Sequence, residues 1–207
     1  MESKDYLKDL TEIKELMNKS SRFISLSGLS GIMAGIYSLI GAGLAFYILN
    51  DINRQKNKFL RILTQIDYVD ELLLISVSVI LATIITAIVL SSRKAKKNNE
   101  KLWERSSKRL LISFAIPLIT GGIYCINLIY QELFQLIAPA TLIFYGLACI
   151  NASKYTLGDI KYLGITCTLL GLISSFVTGY GLLFWALGFG VMHIIYGTLM
   201  YFKYDRN

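Results

Sequence analysis

Charge is what this 207-residue chain has least of. Asp, Glu, Lys and Arg make up 17% of it, where a soluble domain carries about 25%. Histidine occurs once, at His193. Proline occurs twice, at Pro117 and Pro139, and cysteine three times, at Cys125, Cys149 and Cys167. Each scarcity excludes something. The cysteines fall inside apolar runs and none stands in a CxxC pair, so neither a disulfide framework nor a zinc site is expected. They read as small buried apolar residues. One histidine cannot supply bis-histidine haem ligation or a multi-histidine iron centre. No lysine lies mid-span for a retinal Schiff base, and no carboxylate lies at mid-membrane depth to relay protons. No cofactor or metal is therefore expected. A cleavable signal peptide is not expected either, because residues 1–22 are long, polar and charged.

What is present is apolar. The chain is 54% hydrophobic, with a mean hydropathy of +0.53, and its few charges cluster between long apolar runs. These runs predict an all-α membrane bundle of six transmembrane helices, over about residues 24–49, 71–91, 110–130, 133–152, 160–180 and 182–202. Each is near the roughly 20 residues needed to cross the hydrocarbon core. The connections Gln131-Glu132 and Gly179-Tyr180-Gly181 are short enough to make antiparallel hairpins of spans 3–4 and 5–6. Lys and Arg fall seventeen to one side and four to the other, which places both termini in the cytoplasm.

Two stretches outside the spans carry a helical apolar stripe. In the N-terminal segment 1–22, Tyr6, Leu10, Ile13 and Met17 share a face. This predicts a cytoplasmic amphipathic helix that lies on the inner leaflet, docks a partner or covers the bundle's end. Residues 23–207 form the transmembrane domain. The second stripe is Phe59, Ile62, Leu63, Ile66 and Val69. The basic segment from Arg93 to Arg109 holds Trp103 among its cations, which suits anionic headgroups with the indole at the interface. Topology already accounts for that charge, and no nucleic-acid-binding motif accompanies it, so nucleic acid is not expected.

Small residues mark where helices touch. Ser27, Gly31 and Gly35 are spaced by four, as are Ser30, Ala34, Ser38 and Ala42, and Gly28 lies beside both stripes. Such stripes let backbones approach closely. The first span is therefore expected at the centre of the bundle or at a dimer interface. Gly188, Gly190 and Gly197 repeat the theme in the sixth. Pro117 and Pro139 predict kinks, which favour a cavity mildly.

Polar groups within a bilayer are costly and so are functional candidates. His193 and Tyr196 on the sixth span, with Asn151, Lys154, Tyr155 and Asp159 near the inner surface, are the candidate ligand-binding set. The expectation is an inward-facing pocket formed by spans 1, 4 and 6. The plainer reading of a lone histidine is a hydrogen bond to a neighbouring Tyr or Ser. Tyr145 and Tyr196 each precede a glycine in similar surroundings, a faint sign of repeated hairpins. Gly28-Leu29-Ser30-Gly31 matches the GxSG of rhomboid proteases, which also carry a histidine on the sixth span. The rhomboid serine lies on the fourth span toward the outside, however, while Ser30 lies on the first near the cytoplasm.

Several stretches together carry a wider resemblance. They are the run from Ser20 to Gly31, Pro117 with Gly121-Gly122, Asn151-Ala152-Ser153-Lys154-Tyr155, and Gly179-Tyr180-Gly181 through Trp185, His193 and Lys203-Tyr204. They resemble an uncharacterised family of bacterial inner-membrane proteins with this length and span layout. The resemblance implies the bacterial cytoplasmic membrane and carries over no activity. The residues fit best a non-enzymatic module that senses, scaffolds or binds a lipid or partner at the cytoplasmic face. A small transporter or channel is the alternative, and a membrane-embedded enzyme such as an intramembrane protease comes third.

Overall fold

The computed structural model describes residues 26–54, 58–98 and 103–206. The amphipathic segment 1–22 lies outside them, as do the side chains of the second stripe from Phe59 to Ile66. Among the described residues, six helices follow in order: α1 (Gly28–Arg54), α2 (Lys58–Lys97), α3 (Arg105–Tyr130), α4 (Ile137–Ala152), α5 (Ile160–Phe176) and α6 (Gly181–Asp205). Short 3₁₀ turns, Phe134–Leu136 and Ser153–Tyr155, flank α4. Helix α6 is mixed: its Gly181–Trp185 and His193–Met200 parts are α-helical, and Ala186–Met192 and Tyr201–Asp205 are π-helical. There is no strand among the described residues.

Among the described residues, five segments are long and apolar enough to cross a membrane: Gly28–Asn50, Val69–Lys97, Arg105–Tyr130, Phe134–Tyr155 and Gly181–Asp205. Their outward faces carry apolar side chains, such as Leu74 at 69% exposed, Ile85 at 61% and Ile126 at 67%. That is the inverse of a soluble surface, and it identifies a multi-pass membrane protein. The fifth expected span is shorter than its predicted range. Helix α5 has 17 residues, about 26 Å at 1.5 Å each, against a hydrocarbon core of about 30 Å. It ends at Phe176, and Gly179, with φ of +90°, turns the chain into α6. The other tight connection turns at Glu132 with φ of 60°, and the Leu133 amide donates to the Leu128 carbonyl at 2.9 Å.

Helix α1 packs between α2 and α6, and α6 in turn packs on α4 and α5. Helix α3 lies against α4 at the far side. The α1–α6 crossing is a backbone contact. A Cβ placed on Gly197 would stand 2.5 Å from the Ile32 nitrogen, and one on Gly35 would stand 2.6 Å from the Gly190 carbonyl oxygen. Gly28 and Gly31 meet Gly197 along the same line. Ser27, Ser30, Ala34, Ser38 and Ala42 are all buried. The small-residue run thus puts α1 inside the bundle. A second crossing of this kind joins α4 to α5, where a Cβ on Gly164 would stand 2.6 Å from the Gly146 oxygen.

Pro117 lies within α3. Pro139 lies in the first turn of α4, just after the turn Phe134–Leu136. First-turn amides have no intrahelical partner, so a proline there marks the helix's start at no cost in hydrogen bonds. The core holds two clusters. One is Leu142, Leu163 and Cys167, with Tyr145, Phe189 and Tyr196 against it; the other is Cys149, Leu157, Ile160 and Met200. Cys149 and Cys167 are buried free thiols and Cys125 is half-buried.

Candidate functional site

His193 begins the second α-helical stretch of α6 and is 5% exposed. Its Nδ1–H donates to the Gly188 carbonyl at 2.9 Å, which leaves Nε2 as acceptor for the Tyr145 hydroxyl at 2.6 Å. The carbonyl can only accept, and this fixes the neutral tautomer. Phe189 stacks on the imidazole with an interplanar angle of 18°, and Phe114 meets Tyr145 edge-on. The Gly188 carbonyl, in the π-helical stretch, also receives the Cys167 thiol. Both ring nitrogens are therefore satisfied inside an aromatic enclosure. Tyr196 packs on the Leu142–Leu163–Cys167 cluster.

Asn151 is turned elsewhere. Its side-chain amide donates to the Ser113 carbonyl of α3 at 2.8 Å. The residue four places after Ser113 is Pro117, which has no N–H to offer. Asn151 thus supplies from α4 the donor that the proline withholds. Among the described residues, no hydrogen bond joins His193 to Asn151. Ser30 donates to the carbonyl of Ser27, the residue just before its helix, at 2.6 Å and makes no hydrogen bond to His193. The serine–base contact that nucleophilic catalysis needs is not formed by this pair.

The remaining candidates gather at one end of the bundle. Asp159, just before α5, accepts from the Lys203 ammonium at 2.8 Å and the Tyr204 hydroxyl at 2.9 Å, both at the end of α6. The Lys203 hydrogen bond, helped by that from Tyr204 and opposed by burial, holds the Asp159 carboxyl below its ordinary range. Lys154 and Tyr155 occupy the turn between α4 and α5, the first exposed and the second half-buried.

At the same end a tighter cluster forms around Asp205. The Lys94 ammonium, in the last turn of α2, donates to Asp205 Oδ1 at 2.6 Å and to the Leu26 carbonyl at 2.9 Å. The other carboxylate oxygen accepts from the Ser27 hydroxyl at 3.1 Å and the Gly28 amide at 2.8 Å. Asp205 therefore caps the N-terminus of α1 from the far end of α6, a carboxylate where the helix dipole favours one. The Lys94 and Asp205 side chains are only 12% and 9% exposed. Beside them opens a cavity of about 210 Å³ lined by Ser27, Arg93, Lys94, Lys97, Asn98, Tyr204 and Asp205. A second, apolar hollow of about 300 Å³ lies between α1 and α2, next to Tyr37, Leu44 and Leu74. Neither is lined by Pro117, Pro139 or His193.

Sequence reasoning missed Tyr145 as the histidine's partner and Asp205 altogether. Two signals stood close by. Tyr145 was visible as half of the faint repeat, and Ser27 ahead of a glycine-rich helix has the form of a helix start. Lys94 registered only as one of many topology charges. No protein-family model matches the chain, and neither does any curated protein or any solved structure.

Proposed function

We propose that this chain is a non-enzymatic protein of the bacterial cytoplasmic membrane that crosses six times, keeps both termini in the cytoplasm, and binds anionic lipid at its cytoplasmic end. The observation that carries the reading is the Asp205 cluster. It ties the start of α1, the end of α2 and the end of α6 together by hydrogen bonds of 2.6 to 3.1 Å. A membrane chain whose first and last helix ends touch has crossed an even number of times. With an odd number those ends would stand about 30 Å apart, across the hydrocarbon core. This supports counting the short α5 as a crossing. The same end carries the excess of Lys and Arg, which supports a cytoplasmic placement. It also carries the basic cavity, while the histidine's interior site is closed by its own hydrogen bonds. The transporter reading asks for a passage past Pro117 and Pro139, and neither cavity follows that route.

Native mass spectrometry of the protein released gently from its own membrane tests this reading. The expected result is a chain retaining one or more anionic phospholipids. A chain that comes off bare, or with zwitterionic lipid alone, contradicts it.

A further inference from the structure

The cavity beside Asp205 has a specific charge and size. Among the described residues, its lining includes the three cations Arg93, Lys94 and Lys97 and the carboxylate of Asp205, a formal excess of two positive charges. Lys94 is already committed: it is held between Asp205 and the Leu26 carbonyl. Arg93 and Lys97 are exposed and, among the described residues, have no hydrogen-bonded or ionic partner. They stand four residues apart on α2, so they share one helix face, and like charges so placed repel until an anion lies between them. Asn98 and Tyr204 complete the wall. At about 210 Å³ the space falls below the roughly 300 Å³ at which pockets for drug-sized molecules begin, which suits a single small headgroup.

The cluster behind the cavity shows what this end of the fold accepts. Ser27 Oγ, the Gly28 amide and Lys94 Nζ already converge on two oxygens of one carboxylate. That inner seat is filled by the chain itself, and its hydrogen bonds hold Lys94 and the α6 end as the back wall. From the net charge, the unpaired Arg93 and Lys97 and the cavity's size, we infer that it binds a phosphomonoester. The Arg93 guanidinium grips two phosphate oxygens in a fork and Lys97 takes the third. A phosphomonoester carries about −1.5 to −2 charges at pH 7 and so matches the excess of two, whereas a phosphodiester, with one charge, leaves half of it unmatched. The inference rests on the lipid-binding reading above, and names its headgroup and its residues.

The test is a native mass-spectrometric titration of the full-length protein in detergent with phosphatidic acid and with phosphatidylglycerol. It is run on wild type, on R93Q/K97Q, and on K108Q/R109Q, which removes the same charge from the start of α3. Wild type is expected to bind phosphatidic acid at least fivefold more tightly than phosphatidylglycerol. R93Q/K97Q should lose that preference and K108Q/R109Q should keep it. Arg93→Lys, which keeps the charge and loses the fork, should fall between, and it serves if R93Q/K97Q does not fold. Inorganic phosphate, added as competitor, separates the sources: displacement of phosphatidic acid at millimolar phosphate identifies a free phosphate site, and no displacement identifies a lipid headgroup site. Equal binding of the two lipids by wild type overturns the inference, as does an equal loss in both double variants. In either case the lipid-binding reading stands. Failure of wild type to retain any anionic lipid overturns both.

Discussion

At the residue scale, Asn151 and Pro117 explain each other. Each was visible in the sequence, one as an intramembrane amide and the other as a helix breaker, and each suggested a cavity. The pairing was not legible, because Asn151 and Ser113 are 38 residues apart on different helices and no periodicity links them. Replacing Asn151 with Ala leaves the Ser113 carbonyl bare in an apolar surrounding and is expected to cost about 1–2 kcal/mol. In a Pro117→Ala background the restored amide takes over that carbonyl, so the same substitution should cost less than about 0.5 kcal/mol. Unfolding titrations of the four proteins measure the difference. Equal costs in both backgrounds would show that the amide serves something else. Asp159 makes a separate prediction about pH. Its folded-state carboxyl is held below its ordinary value, by the Lys203 hydrogen bond above all. Its stabilisation is therefore present above the unfolded value of about 3.9 and is lost as the pH falls through the lower folded value. Wild type and Asp159→Asn should differ in melting temperature by a constant amount between pH 7 and 5, and that gap should close as the pH falls below about 3.9. A gap that persists at low pH would assign the effect to packing.

At the scale of elements, long apolar runs are a strong signal, and through them the sequence revealed the six helices seen among the described residues. The details that set α6 and α5 apart were hidden. Nothing in the composition of Ala186–Met192 marks a π-helical stretch. The apolar run of the fifth span continues past the helix end at Phe176, because Val177 is apolar as well. The α1–α6 crossing was half legible. Spacing by four revealed the α1 stripe, but a stripe does not name its partner. The α4–α5 crossing lacks such a stripe, since Gly164 and Gly171 are seven apart and meet Gly146 and Pro139 at different heights. A methyl added at a backbone contact has nowhere to go. Gly197→Ala is expected to destabilise the protein by about 1–3 kcal/mol. Gly122→Ala, on an open face of α3 with nothing within 4 Å, should leave stability unchanged or raise it slightly. Detergent-melting curves of both variants decide. A tolerant Gly197 would mean that the first and last helices stand further apart than this fold has them.

At the scale of the whole molecule, two layers meet along α6. Helices α1 and α2 form one side, α3, α4 and α5 the other, and the end of α6 clasps both. Asp205 reaches to α1 and α2, while Lys203 and Tyr204 reach to Asp159. The sequence announced a membrane bundle and a basic side. It could not announce the clasp, because Asp205, Ser27 and Lys94 come from three distant segments and only the fold assembles them. Everything proposed for function depends on which way this clasped end faces. Single reporter cysteines at Tyr180, in the α5–α6 turn, and at Arg206, beside the clasp, in a chain whose Cys125, Cys149 and Cys167 are replaced by alanine, settle this with an impermeant maleimide applied to intact spheroplasts. Tyr180→Cys is expected to label from outside, and Arg206→Cys only after lysis. Labelling of Arg206→Cys in intact spheroplasts, or the same response at both positions, would contradict six crossings with a cytoplasmic binding end.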